Sequence, residues 1–283
     1  MYGCASEESE DTFSPILHGT IYKMVQNKAA PDKSVHGLGA ALFYKIGRQF
    51  SKCRTVGMVA WTGKEKRMRT RYEKQLEQLN NEMIHMGCLI EKAIESAITA
   101  LVNQDLELAK KIMDGDEEIN EHENMIEGLC MKLLLCQQPV ATDLRNVSAA
   151  LKMVTDMERI GDHAADIAEI SLMINGQTYI KKLTHIQEMA RETTEMVVNS
   201  MEAFVGRDLD KAQEVIDRDD TVDELFSKVK NELIELIAAD RSCGEQATDL
   251  LMIAKYFERI GDHATNIAEW VIYSITGEHK SQN

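Results

Sequence analysis

Two nearly identical twelve-residue segments carry the residues of this chain best suited to chemistry. ERIGDHAADIAE spans residues 158–169 and ERIGDHATNIAE spans residues 258–269, with ten of twelve positions identical at a gap-free offset of 100. Each segment holds several carboxylates and one histidine. Carboxylate oxygens are the donors that hard cations prefer, so the repeated segment points to metal binding.

On a helical wheel the carboxylates of the first segment share one stripe. Counting ~100° per residue from Glu158, Glu169 falls near ~20°, Asp162 near ~40° and Asp166 near ~80°. The apolar residues fall on the opposite side, so we expect the stripe to face away from the core. The second segment repeats the stripe but replaces one acid by an amide, with the residues Glu258, Asp262, Asn266 and Glu269.

A second acidic pair precedes each segment. Residues 113–120 (MDGDEEIN) align with residues 216–223 (IDRDDTVD) at an offset of 103. In this alignment Asp116 corresponds to Asp219, and Asn120 corresponds to Asp223. Carboxylates one turn apart repel one another by a few tenths of a kcal/mol per pair. We expect such stacking to bind hard or borderline ions such as Mg²⁺, Ca²⁺, Mn²⁺ or iron. An ordinary solvated helix face is the alternative interpretation.

The histidine and the glycine of each segment have separate interpretations. His163 and His263 fall beside the stripe, near the edge of the packed face, where a packed or ligand-orienting histidine and a metal ligand both remain open. Gly161 and Gly261 lie in the middle of a predicted helix, which costs up to ~1 kcal/mol relative to alanine. We expect another helix to approach closely at these glycines.

The elements that position these residues form a duplicated three-helix unit. Apolar spacing predicts an all-α fold of two tandem pseudo-symmetric three-helix bundles, spanning residues 68–177 and 178–283. In each bundle the second helix is expected to have a kink at its start, with a short separate helix before it. The predicted long helices cover residues 71–102, 116–136, 142–174, 184–205, 219–239 and 245–275.

Composition separates residues 1–67 from the rest of the chain. The whole chain of 283 residues has a net charge of −15, whereas residues 68–283 carry 22 basic and 41 acidic side chains, a net of −19, with a single proline. Because nucleic acids are also negatively charged, residues 68–283 are not expected to bind them. The chain has no apolar run long enough for a membrane span and no phosphate-cradling or catalytic-triad motif. We therefore expect neither membrane insertion nor catalysis.

Residues 1–67 have poor periodicity and no second copy. We expect them to form a poorly structured N-terminal extension, with at best a short helix near residues 39–50. Their histidines and cysteines match no zinc-finger spacing. The sequence that follows Met68 resembles the start of a known family. Two interpretations follow: Met68 is the true initiator and residues 1–67 are an upstream translation, or residues 1–67 are an appended leader.

Residues 68–283 resemble the PhoU family of bacterial phosphate-signalling and phosphate-transport accessory proteins. The resemblance rests on residues 83–101 (MIHMGCLIEKAIESAITAL), residues 137–145 (QQPVATDLR) and the two ERIGDH segments. It implies two similar bundles, each with E(D)xxxD motifs that bind multinuclear metal clusters on the bundle surface. By position these motifs fall on Asp116, Glu158, Asp162, Asp219, Asp223, Glu258 and Asp262, with Asn120, Asp166, Glu169, Glu269, His163 and His263 as secondary candidates.

The resemblance also implies a function without catalysis. It predicts a cytoplasmic adaptor, peripheral at the inner membrane through its partners, that links the ATPase subunit of the Pst phosphate transporter to a PhoR-type sensor kinase. The expected effect is negative regulation of the phosphate-starvation response, by a homodimer that binds iron, manganese, magnesium or zinc. Asn120 occupies the position that Asp223 has in the second bundle, so we expect weaker metal binding at the first site. The first bundle has Asp166 where the second has Asn266, and we expect this extra carboxylate to offset part of the difference.

Two other function classes remain as alternatives. One is a carboxylate-bridged iron oxidase or a ferritin-like store, which requires Glu-x-x-His motifs directed into the bundle core. In the ERIGDH segments the histidine follows the glutamate by five positions, which disfavours this alternative. The other is a purely structural helical scaffold whose acidic residues bind nothing.

Overall fold

Six α-helices make up the part of the chain that the computed structural model describes, residues 63–136 and 141–278. A short 3₁₀ turn, Arg241–Cys243, precedes the last helix. The predicted all-α class and the two tandem three-helix bundles are confirmed. The first bundle comprises α1 (Gly63–Asn103), α2 (Leu106–Cys136) and α3 (Ala141–Ile174), and the second comprises α4 (Thr184–Gly206), α5 (Leu209–Ala239) and α6 (Gly244–Thr276).

The two bundles lie side by side, with α3 and α6 forming the most extensive helix–helix contact between them. Buried residues recur every three or four positions on both helices, for example Met157 and Ile160 on α3 and Phe257 and Ile260 on α6. Helix α1 also contacts α4 across the same seam. The apolar core is therefore continuous from one bundle to the other, and the domain boundary at residue 177 stays a prediction.

The repeated sequence folds into the same helix connection twice. Gln104 and Arg207, which are equivalent at an offset of 103, both have positive φ angles, of 53° and 51°. An aspartate follows each of them and caps the next helix: Asp105 Oδ1 accepts from the backbone N–H of Leu108 at 3.0 Å, and Asp208 Oδ1 accepts from that of Lys211 at 3.1 Å. These caps satisfy backbone donors that the first turn leaves unpaired.

Two details of the prediction are wrong. Helices α2 and α5 run without interruption through Gly115 and Arg218, so the short separate helices do not exist. A single mid-helix glycine costs only ~1 kcal/mol, which packing on both sides of it offsets. Helix α1 begins at Gly63 and so includes five residues assigned to the extension.

The remaining predictions for the N-terminal region concern residues 1–62, which lie outside the described residues. They include the short helix near residues 39–50. The single proline of residues 68–283, Pro139, falls in the undescribed segment 137–140. Whether Met68 is the initiator likewise stays a prediction.

Candidate metal centre

The first acidic cluster lies between α2 and α3. Its members are Asp116, Asn120 and Glu123 on α2, with Glu158 and Asp162 on α3. Asn120 Nδ2 donates to Asp116 Oδ2 at 3.4 Å. Burial and then the charge of Asp162 raise the pKa of Asp116. Burial and then Glu127 raise the pKa of Glu123, to which Asp162 adds a smaller effect. The acidic stripes of the two helices therefore face each other.

The second acidic cluster repeats this arrangement between α5 and α6. Asp219 and Asp223 lie on α5, and Glu258 and Asp262 lie on α6. Burial, followed by the charges of Asp262 and Asp223, raises the pKa of Asp219 to about 6. Burial and then Glu258 raise the pKa of both Asp223 and Asp262. The seven primary candidates from the sequence thus divide between two clusters.

The glycines of the repeated segments bring the helices of each cluster together, as expected. A Cβ atom added at Gly161 would lie 2.9 Å from Ile119 Cδ1 and 3.6 Å from Asp116 Oδ1. One added at Gly261 would lie 3.3 Å from Asp219 Oδ1. Since contacts below 3.0 Å require a neighbour to move, the missing side chain at Gly161 allows α2 to pack this closely on α3.

This close packing covers part of the acidic stripe. Only 16% of the Glu158 side chain and 14% of the Glu258 side chain are exposed. The expectation that the stripe faces away from the core is therefore only partly correct, because α2 and α5 lie over one edge of it. Partial burial makes ionisation of these carboxylates more costly.

Each cluster already contains one basic side chain. Arg159 Nη1 lies 2.9 Å from Asp162 Oδ2, and its Nε lies 3.3 Å from Glu158 Oε2 without hydrogen-bond geometry. In the second cluster Lys255 pairs with Glu258. One cation beside four carboxylates leaves each cluster with excess negative charge, which a metal ion would neutralise.

The donor atoms of the two clusters are of the chemical type that hard metal ions prefer. All are oxygens, and four of them are buried without a hydrogen-bond partner: Asp116 Oδ1, Asn120 Oδ1, Glu158 Oε2 and Glu258 Oε2. The two glutamate oxygens lie beside a basic side chain. Their positions are looser than a completed site requires: in the part of the chain described, only Glu82, His85 and His122 bring three potential ligand atoms within 4.8 Å of one another. A metal ion in either acidic cluster would therefore need side-chain rotation or water ligands.

The two histidines of the repeated segments lie at the seam between the bundles. His263 Nδ1 is 2.9 Å from Asp156 Oδ1, to which Asn266 Nδ2 also donates at 3.1 Å. His163 is buried, lies 3.4 Å through Nδ1 from Asp166 Oδ2, and has its ring centre 5.6 Å from that of His263. Three secondary candidates, His163, His263 and Asp166, thus lie at the α3–α6 seam, together with Asn266.

The remaining secondary candidates lie farther along the helices. Glu169 and Glu269 come eleven residues after Glu158 and Glu258, which is about 16 Å along a helix axis. Glu169 is exposed and Glu269 is half-buried. This separation places both outside the two acidic clusters as defined above.

Two features of the structure were not predicted from the sequence. Glu123 belongs to the first acidic cluster, and its spacing of seven from Asp116 would have revealed it on the same helical face. The group of Glu82, His85 and His122 was also missed. The Glu-x-x-His spacing of 82 and 85 was a usable signal, but its partner on α2 depends on how the two helices pack.

Comparison with known proteins agrees with this architecture. The PhoU domain model matches the chain twice, over residues 83–171 and 186–271. The chain is 41% identical over 213 residues to the phosphate-specific transport system accessory protein PhoU homolog of Clostridium acetobutylicum, covering 75% of this chain and 97% of that relative. Identity to the phosphate-specific transport system accessory protein PhoU of Escherichia coli K12 is 31%, covering 73% and 86% of the two chains.

Solved structures show the same fold. The crystal structure of PhoU from Pseudomonas aeruginosa superimposes with a TM-score of 0.71 at 32% identity, over 73% of this chain and all of that one. The phosphate transport system regulatory protein PhoU from Streptococcus pneumoniae gives a TM-score of 0.70 at 28% identity, over 75% and 100%. These relatives are named as accessory or regulatory proteins and not as enzymes. The chain therefore belongs to the PhoU family.

Proposed function

We propose that this protein is an accessory regulator of a phosphate-specific transport system and represses the phosphate-starvation response when phosphate is plentiful. The observation that carries the proposal is the match across both bundles, which extends over 97% of a relative named a phosphate-specific transport system accessory protein. A second relative, of known structure, is named a phosphate transport system regulatory protein. The regulator acts by binding and not by catalysis.

The proposed partners are the ATPase subunit of the Pst transporter and a PhoR-type sensor kinase. Residues 68–283 carry a net charge of −19, which favours basic faces on the partners and accelerates their encounter at low salt. None of the described helices is both long and apolar enough to cross a bilayer. We place the protein in the cytoplasm as a homodimer that reaches the inner membrane through these partners.

The two acidic clusters are proposed to bind divalent or iron-type metal ions. The proposal is supported by the convergence of four carboxylates in each cluster, the pKa of about 6 at Asp219, and the unpaired buried oxygens of Asp116 and Asn120. Iron, manganese and magnesium suit oxygen donors, and zinc also accepts carboxylates. A bound cation would relieve the repulsion between carboxylates on neighbouring helices.

Elemental analysis of protein purified without chelators tests the metal proposal. Glu158→Gln/Asp162→Asn removes two charges from the first cluster, and Glu258→Gln/Asp262→Asn does the same in the second. Both changes keep side-chain size. Each variant is expected to lose metal relative to the unchanged protein, and the combined variant to lose more than either. Equal metal content in all four proteins would refute metal binding at the clusters.

Binding measurements test the proposed partners. The full chain is mixed with purified ATPase subunit or with the cytoplasmic part of the sensor kinase, and complexes are quantified at low and high salt. We expect complexes with both partners, with affinity falling as salt rises because exposed charges are screened. A serum albumin of similar net charge controls for non-specific acidity. Failure to bind either partner at low salt would contradict the proposed linkage.

A further inference from the structure

Two histidines and a glutamate meet between α1 and α2, away from both acidic clusters. Glu82 and His85 lie one turn apart on α1, and His122 lies on α2. One ligand atom from each residue lies within 4.8 Å of the other two. His85 Nδ1 is 3.1 Å from His122 Nε2, and the two rings are inclined by 54°.

The hydrogen bonding of this group is incomplete. His122 Nδ1 is buried and has no hydrogen-bond partner, and Glu82 Oε2 stands 3.8 Å from it. If His85 donates to His122, then Nδ1 of His122 carries a proton without an acceptor; if His122 donates, its Nδ1 is an acceptor without a donor. Either tautomer leaves a buried polar atom unpaired, which destabilises the folded protein.

The 3.1 Å separation of the two nitrogens fits a hydrogen bond and is also close to the spacing of two ligands of one metal ion. Two imidazole nitrogens bound at ~2.0–2.1 Å to a tetrahedral zinc ion lie ~3.3–3.4 Å apart, close to the observed 3.1 Å between His85 and His122. A Glu82 oxygen supplies a third ligand. The Glu82 side chain is 25% exposed, so the open side of the group admits a water molecule as the fourth ligand.

Burial favours a neutral imidazole at His122, whereas the acidic residues nearby favour a bound cation. Burial, and then His85, lowers the pKa of His122, and neutral imidazole is the form that binds metals. Glu118 and Glu121 on α2 add negative charge near the ring. Two imidazoles and one carboxylate form a donor set typical of zinc and unlike the all-oxygen sets of magnesium or calcium.

We propose that Glu82, His85 and His122 form a zinc site that joins α1 to α2 and is chemically distinct from the acidic clusters. The second bundle lacks this site, since the equivalent positions, at an offset of 103, hold His185, Glu188 and the buried residue Leu225. The site is therefore a property of the first bundle alone. It does not depend on the proposed regulatory function.

Zinc titration of the full chain after metal removal tests the site. His122→Leu copies the residue of the second bundle, and His85→Gln is a second variant at a half-buried position, in case the first variant does not fold. Each is expected to bind about one equivalent of zinc fewer than the unchanged protein. Because other histidines and cysteines also bind zinc, the readout is this difference. Bound Co²⁺ is expected to show the strong visible absorption of four-coordinate cobalt, and to lose it in both variants.

Two control variants separate this site from the others. His185→Ala in the second bundle is expected to keep the full zinc stoichiometry and the cobalt spectrum. The combined acidic-cluster variant described above is also expected to keep the full zinc stoichiometry and the cobalt spectrum. This holds even if the variant fails to regulate phosphate transport. Equal zinc binding by His122→Leu, His85→Gln and the unchanged protein would overturn the proposal. Loss of the cobalt spectrum only in the acidic-cluster variant would also overturn it.

Discussion

Position 120 holds an amide in the first bundle, whereas the equivalent position 223 holds a carboxylate in the second. Three residues later the difference is reversed, with Glu123 in the first bundle and Phe226 in the second. Each cluster consequently contains four carboxylates, drawn from different positions of the repeat. Asp166 lies against His163 at the seam, so the compensation for Asn120 comes mainly from Glu123.

The neutralising cations differ in the same way. Arg159 lies beside Glu158 and Asp162 in the first cluster. In the second, Lys255 takes this role and also lies 5.4 Å from the ring centre of Phe226. The two bundles thus keep the charge balance of the cluster while exchanging the residues that provide it. Both clusters therefore hold four carboxylates and one basic side chain, although the positions that provide them differ.

The largest expected effect concerns the close helix approach that both bundles share. Gly161→Val is expected to destabilise the protein by about 2–3 kcal/mol, and Gly261→Val by less, because the added Cβ atom meets a neighbour at 2.9 Å in the first case and at 3.3 Å in the second. Denaturant unfolding measures the difference. Gly115→Ala is the control, since its added Cβ meets nothing within 4 Å, and it should stabilise by up to ~1 kcal/mol.

The next effect concerns an ion pair that only the second bundle has. Glu192 is 7% exposed, and Arg218 Nε lies 2.9 Å from its Oε2. The first bundle has Leu89 and Gly115 at these positions. Arg218→Ala leaves the buried carboxylate with Arg191 as its remaining ion-pair partner, and we expect a loss of about 2 kcal/mol in the free energy of unfolding.

A double variant sharpens this comparison. Adding Glu192→Leu to Arg218→Ala reproduces the apolar character of the first bundle and should restore stability to within about 1 kcal/mol of the unchanged protein. The four proteins form a double-mutant cycle, measured by denaturant unfolding. Strictly additive losses would show that the two residues do not stabilise each other.

A smaller, pH-dependent effect is expected at Glu91, where the second bundle has Thr194. Burial, and then Glu95 and Glu202, raises the pKa of Glu91 from 4.5 to about 7. The folded protein therefore binds a proton that the unfolded chain releases, and stability falls as pH rises between these values. When the pH is raised from about 5.5 to about 8, the free energy of unfolding should fall in both proteins. The fall should be on the order of 1 kcal/mol smaller in Glu91→Gln than in the unchanged protein. Identical pH profiles would rule out this origin.

The smallest effect concerns the exchanged amide of the first cluster. Asn120→Asp adds a fifth carboxylate beside Asp116, and we expect a loss of a few tenths of a kcal/mol in metal-free protein. Added Mn²⁺ should raise the unfolding temperature of this variant more than that of the unchanged protein. Asn124→Asp, at an exposed position one turn later, is the control. An equal response to Mn²⁺ in both variants would argue against a metal site at position 120.

The duplicated segments made most of the fold predictable. Apolar spacing identified the packed faces of α3 and α6, and the mid-helix position of Gly161 correctly indicated a close helix. Continuity of α2 through Gly115 was not predictable, because packing by the neighbouring helices decides whether one glycine breaks a helix. The proposed zinc site brings Glu82 together with His122, which lies forty residues later on another helix. Spacing within one helix cannot predict that contact.

The histidines of the repeated segments show the same limit. The helical wheel placed His163 and His263 at the edge of the packed face, and this was sufficient to leave two interpretations open. Only the packing of α3 against α6 brings His263 to Asp156, on the other bundle. Sequence periodicity describes one helix at a time, whereas a site between helices depends on their relative rotation.

Expression of a phosphate-starvation reporter in a strain lacking this protein tests its central role most directly. At high phosphate the deletion strain should express the reporter strongly, and the full chain supplied on a plasmid should restore repression. A strain with an empty plasmid is the control. Unchanged low expression in the deletion strain at high phosphate would contradict the proposed function.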